Sequence, residues 1–203
     1  MAPISAKDKE SLLTLAQTTP IDIGKQIVEI GSAWGNGSTG TLLAHTIETK
    51  EHLYCIDWFK GINPIGFDKP MLDSFIETIN FENFDDYVTV MISESSKASK
   101  FFEDTSMDLI FIDGGHTYTR VKVDIETWYP KVKPGGIISG HDCECLMKDL
   151  KNKDLAYSAC DKDNNYTVEE GWIHYGVVRA VSELVPDAIV INGSVVWYFT
   201  KPE

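Results

Sequence analysis

The sequence is poor in positive charge, in cysteine and in long apolar runs, and each shortage excludes a class of function. Lys and Arg total 18 against 31 Asp and Glu, a formal charge of −13. Such a surface repels phosphate backbones and anionic membranes, so no nucleic-acid or membrane partner is expected. Cysteine occurs four times in 203 residues, at Cys55, Cys143, Cys145 and Cys160. That is too few for a disulfide scaffold, and Cys143-x-Cys145 lacks the Cys-x-x-Cys spacing of zinc motifs. No apolar stretch reaches the ~18 residues of a membrane span. Residues 1–20 carry Lys7, Asp8, Lys9 and Glu10 where a leader would be apolar. The expected location is the cytoplasm. Repeats and low-complexity tracts are also lacking, so residues 1–203 read as one domain.

What is present is alternation. Ser5 to Gln17 reads as an N-terminal helix within a helical segment 1–20, with Leu12, Leu13 and Leu15 as its apolar content. Gln26–Ile30, Leu53–Asp57, Tyr87–Met91 and Asp108–Asp113 read as strands, and Ile137-Ile138 opens a fifth. Helices are expected between them: over Thr39–Thr46, from an Asp68 cap with Pro70 in the first turn, over Lys97–Phe102, and where Tyr118, Val121, Ile125 and Trp128 recur at helical spacing. A last helix carries Val177, Val178, Val181, Leu184 and Val185. Ala188–Ile191 and Val195–Phe199 then flank Asn192-Gly193, a strong hairpin signal. Five β-α units and a terminal hairpin predict an α/β fold: a three-layer sandwich around a seven-stranded, mostly parallel sheet with one antiparallel strand. Residues 143–172 are polar and fit no period. They are expected to be an insertion near the active site, and Asp161 to Asn165 within it a solvated loop.

Ligands of open parallel sheets bind beyond the carboxyl ends of the strands, and the polar residues of this chain gather there. The first strand exits through Glu29-Ile-Gly31-Ser32-Ala-Trp-Gly35-Asn-Gly37. Its glycine spacing differs from the Gly-x-Gly-x-x-Gly of dinucleotide binders, so a loose loop around an amino-acid moiety is expected rather than a pyrophosphate turn. Asp57 ends the second strand, where a carboxylate can accept from ribose hydroxyls. Ser93 and Glu94 follow the third strand, within reach of an adenine edge. Asp113-Gly-Gly-His116 leaves the fourth strand, and His116 has an imidazole suited to taking a proton near neutral pH. Gly140-His141-Asp142 leaves the fifth. With those strands adjacent, Asp113 and Asp142 stand side by side. Either a proton or a cation lies between them, or one is capped by backbone amides and the other solvated.

These separated motifs resemble those of the class I S-adenosylmethionine-dependent methyltransferases, with their Rossmann-like fold. Asp113-Gly-Gly-His116-Thr-Tyr118, Asp124, Trp128, Lys133-Pro-Gly-Gly136 and His141-Asp142 are most similar to the subgroup of macrocin-type sugar O-methyltransferases and cephalosporin-hydroxylase-like proteins. The resemblance implies that Glu29, Gly31, Ser32 and Gly35 serve the methionine part of S-adenosylmethionine, Asp57 its ribose, and Ser93 and Glu94 its adenine. Asp113 would lie near the transferred methyl and, with Asp142, hold Mg²⁺ or another divalent ion. The third ligand is open between His141, Glu144 and water. His116 falls at the position of a general base, and the acceptor would be a small-molecule hydroxyl. A nicotinamide oxidoreductase, or a scaffold of the same fold without turnover, are the rival readings. Trp34, Trp58, Phe59, Trp172 and Tyr175 are candidates for an aromatic acceptor wall or for packing.

Overall fold

The structure, a computed structural model, describes residues 4–19, 24–60, 69–80, 86–162, 165–167 and 171–203, with the backbone alone at 165–167. In chain order the elements are α1 (Ala6–Thr18), β1 (Gln26–Ile30), α2 (Ser38–Thr49), β2 (His52–Asp57), α3 (Lys69–Asn80), β3 (Val88–Ile92), α4 (Ser95–Ala98) and β4 (Met107–Ile112). Then come α5 (Tyr118–Trp128), β5 (Val132–Gly140), α6 (Lys153–Ser158), β6 (Asn165–Thr167), β7 (Gly171–Ile173), α7 (Tyr175–Leu184), β8 (Ile189–Val190) and β9 (Trp197–Thr200). The Asp68 cap lies outside the described residues.

Seven strands form one sheet in the order β3-β2-β1-β4-β5-β9-β8. Every pairing from β3 to β5 is parallel, and β9 runs antiparallel to both neighbours. The expected Rossmann-like α/β sandwich is therefore the observed one. Strand alternation sends Val28, Ile30, Ile110 and Ile112 to a core with Val121, Ile125 and Trp128 of α5 and Val177 and Val181 of α7. Ile27, Leu53, Leu109 and Phe111 face the other core, with Leu12 and Leu15 of α1, Leu42 of α2 and Phe75 of α3. This is the two-residue period of a sheet covered on both faces.

Two expectations need correction. Strand β5 opens at Val132 rather than Ile137, because Lys133-Pro-Gly-Gly136 is looped out within the strand. Pairing passes from Met107↔Val132 to Leu109↔Ile137, and Gly135 takes a positive φ of 73°. The loop stays tied down because Gly135 donates to the Lys201 carbonyl and Lys201 to that of Gly136. Residues 143–172 are also more than polar loop. They carry α6 and the antiparallel pair β6 and β7, and bury Cys143, Leu146, Leu150, Ala156 and Ala159 against the α5–α7 core. Their apolar positions escape helical or strand spacing because several short elements share them.

Helix α1 is pinned at both ends. Lys25 is buried, donates to the Ala16 carbonyl at 2.8 Å and faces Glu51 at 3.4 Å. At its start, Ser5 and Asp8 form a capping box. The Asp8 carboxylate also accepts from the Ser194 hydroxyl at 2.6 Å and the Val195 amide at 3.1 Å, joining helix to terminal hairpin.

Candidate active site

The strand order reverses between β1 and β4, the crevice position at which open α/β sheets bind ligands. Register brings the exits level: Gly31 donates to Ile56, Asp113 to Ile30, and His141 to Ile112. Gly31 is obligatory here. Its φ is 93°, and a Cβ on it would collide with the Asp113 carbonyl. A cleft of about 600 Å³ opens at this point, lined among others by Gly31, Asp57, Ser93, Glu94, Asp113 and His116. That volume lies within the ~300–1,000 Å³ typical of small-molecule sites.

Asp57 holds the crossing loops together. Its carboxylate accepts from the amides of Ala33 at 2.9 Å and Phe59 at 2.7 Å. Each oxygen has a further lone pair for a ligand hydroxyl. Burial raises its pKa, and the backbone amides, Ala33 first, offset part of that rise. Ser93 donates to the Glu94 carbonyl, and Glu94 pairs with Lys97 at 2.7 Å. Glu29, Ser32 and Gly35 stand behind the wall rather than on it. Glu29 is fully buried and accepts from Thr39 at 2.7 Å, and burial raises its pKa. Gly35 packs on Phe75 and Thr78 of α3. These three shape the loop from beneath.

Of the aromatic candidates, Trp34 and Trp58 line the cleft, and Arg120 lies 5.6 Å from the Trp58 ring. Phe59 and Tyr175 are core residues, and Trp172 is exposed. The cleft wall also contains Arg120 and Asp124 of α5. Asp124 is held up at about 6 by burial, with Ser95 and Arg120 partly offsetting it. Asp124 stood in the motif set without a role, because spacing in a helical run marks faces but not which neighbours meet them.

At the inner end stands a cluster of acids and imidazoles. Asp142 has a positive φ of 59°, a conformation that Asp tolerates better than most residues. The His141 Nδ1 lies 3.2 Å from Asp142 and 3.6 Å from Asp113. His116 Nε2 lies 2.9 Å from Asp142 Oδ2, without the alignment of a hydrogen bond. Burial lifts Asp113 to about 7, with His141 opposing it. Burial alone would lower His141, but Asp142, Asp113 and Asp8 overcome this and raise it to about 9. Burial would raise Asp142, but His116 and His141 outweigh it and hold it well below the usual range. The expected adjacency of Asp113 and Asp142 is observed, and donor atoms of Asp113, His141 and Asp142 all lie within 4.8 Å of one another. A small pocket of about 10 Å³ opens beside them, bounded by Asp113, His116, His141 and Asp142. It has room for one water or ion. The donor set fits a divalent cation.

Sequence reading missed His174. It caps α7 and comes within 4.7 Å of His116, ring centre to ring centre. Glu144, expected as an alternative metal ligand, instead grips His174: it accepts from the backbone amide at 3.0 Å and meets Nδ1 at 2.6 Å. Gly176 permits this approach, because a Cβ there would collide with the His116 carbonyl. A signal existed in the Gly176 that follows His174 by two positions, but no spacing rule links it to residue 116.

Comparison with known proteins agrees with this fold. A family described as "Methyltransferase domain" matches residues 28–143, the stretch from β1 to the far side of the acid cluster. The chain belongs to this family. The methyltransferase domain is also similar to the Uncharacterized protein y4gI of Sinorhizobium fredii, 27% identical over 123 residues. That match takes in 59% of this chain but only 13% of the relative. Solved structures share the fold. A protein from Corynebacterium glutamicum superposes with a TM-score of 0.68 at 14% identity, over 100% of this chain and 84% of the other. The O-methyltransferase TomG from Streptomyces achromogenes, involved in tomaymycin synthesis and solved with S-adenosylmethionine, does so with 0.61 at 14% identity, over 98% and 81%. CalS11, a TDP-rhamnose 3'-O-methyltransferase of calicheamicin biosynthesis, gives 0.58 at 14%, over 97% and 81%. Among the described residues no helix is long and apolar enough to cross a membrane.

Proposed function

We propose that this methyltransferase domain transfers the methyl group of S-adenosylmethionine to a hydroxyl oxygen of a small molecule, with a divalent cation at Asp113, His141 and Asp142. The observation that carries the reading is the continuity of the cleft. One wall runs from Gly31 and Asp57 to Asp113 and His116, so a cofactor end and a proton-accepting end share one space.

When bound, S-adenosylmethionine supplies a methyl carbon on a positively charged sulfur, which departs as a neutral thioether. The residues supply position and charge. The Asp57 lone pairs not used by Ala33 and Phe59 suit ribose hydroxyls, and Ser93 and Glu94 stand one strand further, on the adenine side. Asp113, buried at the junction, favours a cationic ligand. The acceptor oxygen forms the new O–C bond as the C–S bond breaks, its electron pair going to sulfur. His116, backed by Asp142, takes the hydroxyl proton. Holding both partners at near-attack distance can remove several kcal/mol from the barrier, and a cation at Asp113 and Asp142 would lower the acceptor's pKa. The −13 charge and acidic cleft argue for a neutral or cationic small acceptor rather than nucleic acid. The motif set from Asp113 to Asp142 supports oxygen as the methylated atom.

The test is calorimetric binding of S-adenosylhomocysteine, first with Mg²⁺ and then with EDTA, followed by a screen of hydroxylated acceptors. Micromolar binding and turnover support the reading. Loss of turnover alone in EDTA supports cation assistance. Absence of binding in both conditions overturns it.

A further inference from the structure

Asp142 faces two histidine sets. One is His141 with Asp113. The other is His116 with His174, and in this second set the three donor atoms also lie within 4.8 Å of one another. Asp142 Oδ2 is 2.9 Å from His116 Nε2, and Glu144 holds Nδ1 of His174 at 2.6 Å, which leaves Nε2 as the ring nitrogen that would ligate. The His116 nitrogen is buried and has no hydrogen-bond partner despite that short distance.

We propose that His116, Asp142 and His174 form a second cation site, selective for a nitrogen-preferring divalent transition metal such as Zn²⁺ or Co²⁺ over Mg²⁺. Four observations converge. Two imidazoles and one carboxylate are the donors such ions favour, whereas Mg²⁺ takes oxygen. Three protein ligands leave coordination positions open, and the side chains remain 14–17% accessible, so an exogenous ligand can complete the shell. Glu144 orients His174 through its ring and its backbone amide. A carboxylate behind a ligating histidine is the usual support of a metal site. Finally, Gly176 lets α7 settle against the 116–118 loop, which brings the third donor in.

The site shares His116 and Asp142 with the methyl-transfer reading and adds Glu144 and His174, which that reading does not use. On that reading, an ion here would sit between Asp142 and Nε2 of His116, the contact that backs the histidine as it takes the acceptor's proton.

The experiment is Co²⁺ titration of the metal-stripped protein, followed by its visible absorption, with Mg²⁺ present in excess and no S-adenosylmethionine. The expected result is saturable Co²⁺ absorption of nitrogen-ligand type. Binding should weaken more than tenfold in His174→Ala, by about 10- to 100-fold in Glu144→Gln, and little in Asp113→Asn. Circular dichroism and thermal midpoints of each variant separate ligand loss from misfolding. For a His174→Ala that fails to fold, His174→Gln and Glu144→Gln carry the same comparison. Co²⁺ binding unaffected by His174 and Glu144 substitution overturns the proposal, as does binding lost only in Asp113→Asn, or no Co²⁺ binding at all. Binding of S-adenosylhomocysteine, measured separately, reports on the methyltransferase reading and is expected to survive His174→Ala.

Discussion

Asp8, in the first turn of α1, lies 3.3 Å from Nε2 of His141 at the exit of β5. One residue of the N-terminal helix thus caps its own helix, holds the hairpin at Ser194 and Val195, and faces the site histidine. The far side of His141 meets Asp113 and Asp142, so α1 belongs to the site's support.

Acid sensitivity is expected at Asp8. Burial would raise its pKa, but hydrogen bonds from Ser194, Ser5 and Val195 lower it to about 2 from 3.8. A lowered carboxylate stabilises the fold above its unfolded pKa, and that stability is lost as pH falls from about 4 toward 2. Asp8→Asn should lose about 1 kcal/mol near neutrality, the usual worth of a helix cap, and should flatten this part of the acid limb. Denaturant midpoints across pH check both.

Asp124 has the opposite sign. Burial raises it to about 6 from 3.8, so the native state favours its proton. Its stabilising contribution is complete below about pH 4 and declines as pH rises through 6. Asp124→Asn should remove that decline and raise the thermal midpoint of the ligand-free protein at pH 8. An unchanged or lower midpoint at pH 8 contradicts this.

Gly31→Ala should be severe. The substitution places a side chain at positive φ and drives it into the Asp113 backbone. Overpacking and backbone strain together suggest a cost of about 2–4 kcal/mol. Loss of S-adenosylhomocysteine binding should accompany it even at temperatures where circular dichroism remains native.

His116→Ala separates chemistry from cofactor capture. On the proposed mechanism turnover falls by about 10²–10⁴, the range of general-base removal, while S-adenosylhomocysteine affinity stays within a few-fold. An unchanged rate assigns the proton to another acceptor.

The sheet was legible because its strands announce themselves twice, by apolar runs such as Gln26–Ile30 and by glycines or acids at their ends. The ends also revealed Gly31, Asp57, Asp113, His116 and Asp142. Less legible was anything dependent on contact between distant segments. Glu29 reads as a strand-end acid that serves the cofactor, yet it lies fully buried under the loop. Strand β5 begins before its glycines rather than after them, since Lys201 pairs with the looped-out backbone.

The sequence by itself determined the fold class and the line of polar residues at the strand exits, because periodicity and turn chemistry are local properties of the chain. Only the tertiary structure decided that Asp8 reaches His141, that Glu144 grips His174, and that His174 stands beside His116. Those relationships join α1, residues 143–172 and α7 to the exits of β4 and β5. Packing sets such distances, and spacing along the chain does not encode them.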